Sequence, residues 1–288
     1  MIVSIASGKG GTGKTTIAVN LALALENAQI VDCDVEEPNA HIFLKPGISS
    51  AEDLTVRVPR IDRAKCDFCE ACAEACAFRA MNVFKPLSGG WDVLFLPELC
   101  HSCGACALAC PKGAISETRK KIGVIETGRA GNLDYACGRL NIGEPKAPPL
   151  IKALKKKINR SKTVILDCPP GTSCPMMTAV KGSDFCLLVT EPTPFGLHDL
   201  KLAVETVRKL GIRHGVFINR ADDSKMIDAY CTEAGVPLLG RLPFDREIAA
   251  LYSKGLGLLS DKPQYIRFFR ELADKIGERI RHAITEEP

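Results

Sequence analysis

Ile2-Val-Ser-Ile-Ala-Ser-Gly8-Lys9-Gly10-Gly11-Thr12-Gly13-Lys14-Thr15 is an apolar run that breaks into glycines and ends on a lysine and a threonine. Behind it, Ile17, Leu21, Ala22 and Leu25 recur at helical spacing, and Ala28 to Asp32 resumes an extended apolar run. Strand, glycine loop, helix and strand open a βαβ unit. The loop has the spacing G-x4-G-K-T in the context that gives it meaning, after a strand and at the head of a helix. Glycines let consecutive backbone N–H groups converge on an anion, and the helix N-terminus adds the positive end of its dipole. Lys14 is then expected to reach the β- and γ-phosphates of a nucleotide, with Thr15 Oγ on magnesium. A glycine-rich helix cap alone would account for the glycines but not for Lys14.

The same grammar returns after residue 162. Apolar runs Val164 to Leu166, Phe185 to Val189, Val216 to Ile218 and Leu238 to Leu242 alternate with helical stretches at 196–210 and 225–234. The expected fold is α/β, a P-loop NTPase with a mostly parallel helix-flanked sheet. At 288 residues, 46% hydrophobic and 25% charged, the chain has enough apolar surface for one large core, which excludes disordered and fibrous classes. A net charge of +4 argues neither for nucleic acid nor for an anionic membrane. No run of 18 uncharged apolar residues occurs and glycines interrupt the first apolar run early, so the expected location is cytoplasmic. The lysines at 152, 155, 156, 157 and 162, with Arg160, read as a solvated helix face ahead of a buried strand.

Fourteen cysteines are out of proportion for such a chain, since a reducing compartment has no use for a disulfide framework. Eight of them form two runs, Cys66, Cys69, Cys72, Cys76 and Cys100, Cys103, Cys106, Cys110, each spaced C-x2-C-x2-C-x3-C. The runs are halves of a repeat offset by 34 residues and flank two strands, Ala80 to Lys85 and Trp91 to Leu96, joined across Ser88-Gly89-Gly90. This stretch reads as an inserted ferredoxin-like α+β module at residues 60–118, with residues 1–59 and 119–288 forming the discontinuous ATPase domain. Thiolates at this spacing, twice, suit 4Fe–4S clusters. Zinc is the second reading, although structural zinc favours two C-x2-C pairs. His101 is expected to be exposed and not a ligand. Cys33, Cys168 and Cys186 sit in or beside apolar strands and read as small buried hydrophobes; Cys137, Cys174 and Cys231 have no assigned role.

Lys9, directly after the first glycine, makes the loop resemble the deviant Walker A motif of the MinD/ParA/Mrp ATPases, and the chain resembles members of that superfamily carrying an inserted two-cluster bacterial-type ferredoxin domain. The resemblance implies ATP or ADP and Mg2+ as ligands and Gly8, Gly10, Gly11, Thr12, Gly13, Lys14, Thr15 and Thr16 as the phosphate-binding set. It implies that Lys9 crosses a homodimer interface at the nucleotide face and makes hydrolysis depend on dimerisation. Val31-Asp32-Cys33-Asp34 is similar to the group's D-x-D element, which makes Asp34 the residue that positions the attacking water, with Asn39 in the same loop. Val164-Ile-Leu-Asp167-Cys-Pro-Pro-Gly171 is similar to Walker B with its switch loop, so Asp167 would hold magnesium with Thr15. Asn219 and Pro243 to Asp245 match the positions that border the adenine.

The two-cluster bacterial ferredoxin pattern implies crossed ligation: Cys66, Cys69, Cys72 and Cys110 on one cluster, Cys100, Cys103, Cys106 and Cys76 on the other. Ala77 stands where that pattern has proline. The C-x2-C pair that Mrp-type cluster carriers place near the C-terminus has no counterpart here. Between Pro263 and Ile284, the side chains Ile266, Phe269, Ala273, Ile276 and Ile280 share one helical stripe; packing on the sheet is the favoured reading over the membrane helix of MinD. The functional expectation is a dimeric ATP switch that couples nucleotide state to electron transfer or to metallocluster maturation of an unidentified partner protein. The alternatives are a positioning ATPase with redox-sensing clusters and an electron carrier with a vestigial ATPase body.

Overall fold

The computed structural model describes residues 1–282. In chain order the elements are β1 (Ile2–Ala6), α1 (Lys14–Leu23), β2 (Ala28–Asp32), α2 (Ala40–Leu44), β3 (Gly47–Ile61), α3 (Ala71–Glu74), β4 (Met81–Phe84), β5 (Asp92–Phe95) and α4 (Ala105–Ala109). They continue with β6 (Ile115–Ala130), β7 (Leu133–Leu140), α5 (Pro148–Leu154), β8 (Thr163–Asp167), α6 (Cys174–Val180), β9 (Phe185–Thr190) and α7 (Pro194–Lys209). The last are β10 (His214–Ala221), α8 (Met226–Glu233), β11 (Leu238–Pro243), α9 (Arg246–Ser253), α10 (Leu258–Asp261) and α11 (Tyr265–His282).

The chain divides into two units. The first comprises Met1–Glu52, Ile125–Arg139 and Leu150–Pro288; the second comprises Asp53–Val124 with Leu140–Pro149.

In the first unit β1, β8, β9 and β2 are buried along nearly their whole length, as near-continuous Val, Ile and Leu runs require in a parallel sheet covered on both faces. The strand order is β11-β10-β9-β1-β8-β2-β7-β6-β3. Every pairing from β11 through to β7 is parallel. The connection from β1 runs past β8 to β2 and the connection from β8 runs past β1 to β9, in opposite directions, and such a switch point opens a crevice outside the carboxyl ends of the strands. The register sets Asp32 opposite Asp167 and Asp32 opposite Cys137 at those ends.

The hairpin of β6 and β7 has no counterpart in the apolar pattern of the sequence. The sequence Ile115-Ser-Glu-Thr-Arg-Lys-Lys carries no apolar run because most of that half of β6 is exposed, so no core pattern marks it. The lysine-rich stretch is a solvated face in part, since Lys152, Lys156 and Arg160 are exposed and the other lysines are engaged. Leu150, Ile151 and Leu154 are buried, and Lys155 Nζ donates to the carbonyls of Thr178 (3.1 Å) and Ala179 (2.6 Å) at the end of α6. Lys157 pairs with Glu52 at 2.7 Å and Lys162 with Asp134 at 2.6 Å. These cations hold structure together.

The C-terminal stripe packs inward. Phe269, Leu272, Ala273 and Ile276 of α11 are buried in one cluster with Phe217, Leu239 and Leu242 of the sheet, and Ile266 and Ile280 lie against it; Ile284 lies outside the described residues. Among the described residues no helix is long and apolar enough to cross a membrane.

The second unit is small. β4 and β5 pair antiparallel from Met81↔Phe95 to Phe84↔Asp92, turning through Gly89 and Gly90 at φ 88° and 81°. Met81, Val93, Ile115 and Cys72 form its core. The repeat seen in sequence is also a repeat of backbone: left-handed residues fall at Phe68, Glu70 and Arg79 in one half and at Ser102, Gly104 and Gly113 in the other. Non-glycine residues rarely hold this conformation, so a shared requirement maintains it in both halves. The turn at Ala77 survives without proline: the Arg79 N–H donates to the Cys76 carbonyl at 3.0 Å, as Gly113 does to Cys110 at 3.2 Å.

Phe269 has no exposed surface. Phe269→Ala is expected to lower unfolding free energy by about 3–5 kcal/mol, read from urea denaturation, whereas a helix lying free of the sheet would lose almost nothing.

Candidate functional site

The chain leaves β1 at Ala6 and crosses to α1 through a loop in which Gly11 and Gly13 hold φ 78° and 85°. Two glycines are needed for space as well. A Cβ on Gly8 would sit 2.1 Å from the Asp199 carbonyl oxygen of α7, and one on Gly13 would sit 2.2 Å from Asn219 Nδ2. Gly10 and Gly11 face open space, so a ligand can approach their backbone.

A cleft of about 1180 Å³, including its open mouth, is lined by Gly10, Gly11, Gly13, Lys14, Thr15, Thr16, Asp34, Asn39, Asn219, Pro243 and Asp245. Phe244 and Pro170, which fall within the Pro243 to Asp245 and Val164 to Gly171 stretches, line it too, and residues that the motifs did not indicate complete it: Arg220, Ile248 and Tyr252 at the far end and Glu37 on a switch-like loop. No local pattern marks Tyr252, which reaches the cleft through the way α9 follows β11.

Three carboxylates stand at the strand ends beside Lys14. Asp32 is buried and accepts hydrogen bonds from Ala40 N (3.0 Å) and Asp34 N (3.2 Å), so it shapes the loop. Burial first, then Asp167, pushes its carboxyl well above the ordinary range. Burial raises Asp34 to about 6, against the pull of Lys14. Asp167 is raised mainly by burial, opposed by the Thr15 hydroxyl and the Lys14 ammonium. Both of its oxygens are buried without a hydrogen-bond partner. A buried carboxylate left this way is costly, and a divalent cation held with the Thr15 hydroxyl would satisfy it. The donor set fits magnesium.

Gly8, Lys9, Thr12 and the buried Asp167 do not line the cleft. Lys9 Nζ lies 3.7 Å from Glu191 Oε2, and Arg220 Nη1 lies 2.5 Å from Glu191 Oε1. Glu191 therefore holds the lysine within its own chain, a role no sequence signal announced. Asn219 Nδ2 donates to the Thr12 carbonyl at 2.8 Å, fastening the end of β10 to the glycine loop. Asp245 accepts from Glu247 N at 2.7 Å and is the N-cap of α9.

In the second unit two pockets sort the thiols. One is lined by Cys66, Cys69, Cys72 and Cys110; the other by Cys76, Cys100, Cys103 and Cys106. The last cysteine of each run thus lies with the first three of the other. Backbone N–H groups point at three of these sulfurs: Ala80 at Cys76 (3.2 Å), Ser102 at Cys100 (3.4 Å) and Ala114 at Cys110 (3.3 Å). The thiol set and the inward N–H groups fit iron–sulfur clusters. Among the described residues no group of three or more His, Cys, Asp or Glu is arranged to hold a single metal ion. His101 is exposed and stacks on Phe78, centroids 3.6 Å apart. Cys33, Cys168, Cys186, Cys137 and Cys231 are buried; burial raises the Cys186 and Cys137 thiols to about 12, and Cys174 is exposed.

The sequence profile of the CobQ/CobB/MinD/ParA nucleotide-binding domain matches residues 3–259. The chain belongs to that family. It is a nucleotide-binding protein of the MinD/ParA type. A Methanocaldococcus jannaschii protein of uncharacterised function, MJ0579, is 31% identical over 92% of this chain and 95% of its own length. The iron–sulfur cluster carrier protein of Pyrococcus abyssi is 23% identical over 99% of this chain and 88% of its own. The septum site-determining protein MinD of Pyrococcus horikoshii, solved with Mg-ADP, has the same fold, with a TM-score of 0.57 and 22% identity over 96% of this chain and 95% of that one.

Raised carboxyl pKa values mean that the folded chain binds more protons than the unfolded one, for Asp34 between about 4 and 6. Without ligands, stability should therefore fall as pH rises through that interval. Asp167→Asn should flatten the fall in urea midpoint and remove Mg2+-dependent nucleotide binding measured by calorimetry; an unchanged pH slope counts against the carboxylate cluster.

Proposed function

We propose that this protein is a dimeric ATP-driven switch bearing two 4Fe–4S clusters, which couples nucleotide state to electron transfer or to metallocluster maturation in a partner protein. The observation that carries the reading is the sorting of eight thiols into two four-thiol pockets, in a chain whose other unit has a complete phosphate loop. The Pyrococcus carrier's name points the same way. We assign residues 60–118 as the ferredoxin-like insert.

On this reading the glycine-loop N–H groups and Lys14 grip the triphosphate, and Thr15 and Asp167 hold magnesium. Asp34 orients a water for in-line attack on the γ-phosphorus; the bond to the β-bridging oxygen breaks and phosphate leaves. Magnesium, when bound, neutralises the developing charge. Lys9 exchanges Glu191 for the nucleotide of the other protomer as the dimer closes, so hydrolysis follows association. The clusters supply one-electron chemistry. The intact set Lys9, Lys14, Thr15, Asp34 and Asp167 speaks against a vestigial ATPase body, and the buried stripe of α11 against a membrane-positioning role.

Anaerobically purified protein should contain about eight iron and eight sulfide per chain and self-associate with Mg-ATP in sedimentation velocity. Lys9→Ala should keep nucleotide affinity and lose hydrolysis by on the order of 10³-fold, the scale of a cationic finger. Zinc in place of iron, or association indifferent to ATP, defeats the proposal.

A further inference from the structure

The 34-residue repeat makes the two thiol pockets near copies, so what differs between them is informative. Three differences fall in the same direction. Position by position, Asp67 in the first run corresponds to His101 in the second, and Glu70 corresponds to Gly104. Asp67 and Glu70 both line the pocket of Cys66, Cys69, Cys72 and Cys110. Asp67 is partnered by the exposed Lys112 at 3.7 Å, and Glu70 adds a second anion to the same wall. The charged side chains lining the other pocket, Arg57 and Glu117, cancel each other at 3.2 Å.

Second, a cation grips the backbone of the second run. Lys146 Nζ donates to the carbonyls of Cys100 (2.6 Å), Pro97 (2.9 Å) and Glu98 (3.3 Å), gripping the turn that presents the first thiol of that run. Third, that pocket has two of the N–H donors to sulfur, at Cys76 and Cys100, against one at Cys110 for its twin. Reduction adds negative charge to a cluster. Cations and N–H donors therefore raise the potential of a site and anions lower it.

We infer that the two sites are unequal by construction: the Cys76, Cys100, Cys103 and Cys106 site has the higher potential and keeps the first electron, and the Cys66, Cys69, Cys72 and Cys110 site has the lower. This rests on the cluster reading above. Lys146 is a positioning and tuning residue, and Asp67 and Glu70 are its opposites. The step is one electron taken from an external one-electron donor, dithionite in the test, with no bond made or broken. An electron that enters at the Asp67 side moves downhill to the Lys146 side.

The test is a dithionite titration of the full-length iron-loaded protein followed by electron paramagnetic resonance. At half-reduction of the first site the second should be less than a tenth reduced, at least 59 mV apart for a one-electron couple. Asp67→Asn with Glu70→Gln should raise the lower wave alone. Lys146→Met should depress the upper wave alone, and Lys146→Arg should restore it. Iron and sulfide counts on each variant verify loading. Waves that coincide within tenfold, or charge changes that move the opposite wave, overturn the inference while two loaded clusters leave the functional reading standing. Failure to load iron removes both.

Discussion

Asp167 is a carboxyl group with no hydrogen-bond partner within 3.5 Å, buried at the end of β8 directly across from Asp32 on β2. Uncompensated charge in a dry interior is among the costliest features a fold can keep. Here the group stands where three parallel strands end under a glycine loop, beside the buried Lys14. A cation added there would relieve the cost, and the neighbouring cleft, lined by the glycine loop and Lys14, suits a polyanion. Much of the surrounding sequence serves to hold that arrangement: Asp32 spends its oxygens on the loop that carries Asp34, and Asn219 ties the glycine loop to β10.

The second unit solves a different problem with the same economy. Its apolar core is too small to carry a domain by itself, and cysteines form part of it. Left-handed backbone at matched positions of the two halves turns N–H groups toward sulfur. Phe68, Glu70 and Arg79 accept a conformation that glycine would hold without strain, which fits a site whose ligand supplies the missing stability. Within this near-symmetry the exceptions, Asp67 against His101 and the reach of Lys146, give the two halves different electrostatics.

Much of this was legible in the sequence, because the signals are short and local. Gly8 to Thr15 announces a phosphate loop, the apolar runs announce a parallel sheet, and the spacing of the paired cysteine runs carries the resemblance that implies their crossed grouping. The stripe of α11 was legible as amphipathic, and its packing on the sheet was the favoured outcome. Harder to read was the charged hairpin of β6 and β7, since an exposed strand has no burial pattern to betray it.

Sequence alone determined the chemistry available: which thiols, which carboxylates, which glycines, and the repeat that relates them. Only tertiary structure decided which of these meet. Glu191 holding Lys9, Asn219 reaching the Thr12 carbonyl, Tyr252 closing the cleft and Lys146 gripping the Cys100 turn join residues far apart along the chain or on different elements. Hydrogen bonds and ion pairs act over a few ångströms of space, and no periodicity in the chain encodes a separation set by how strands order themselves in a sheet.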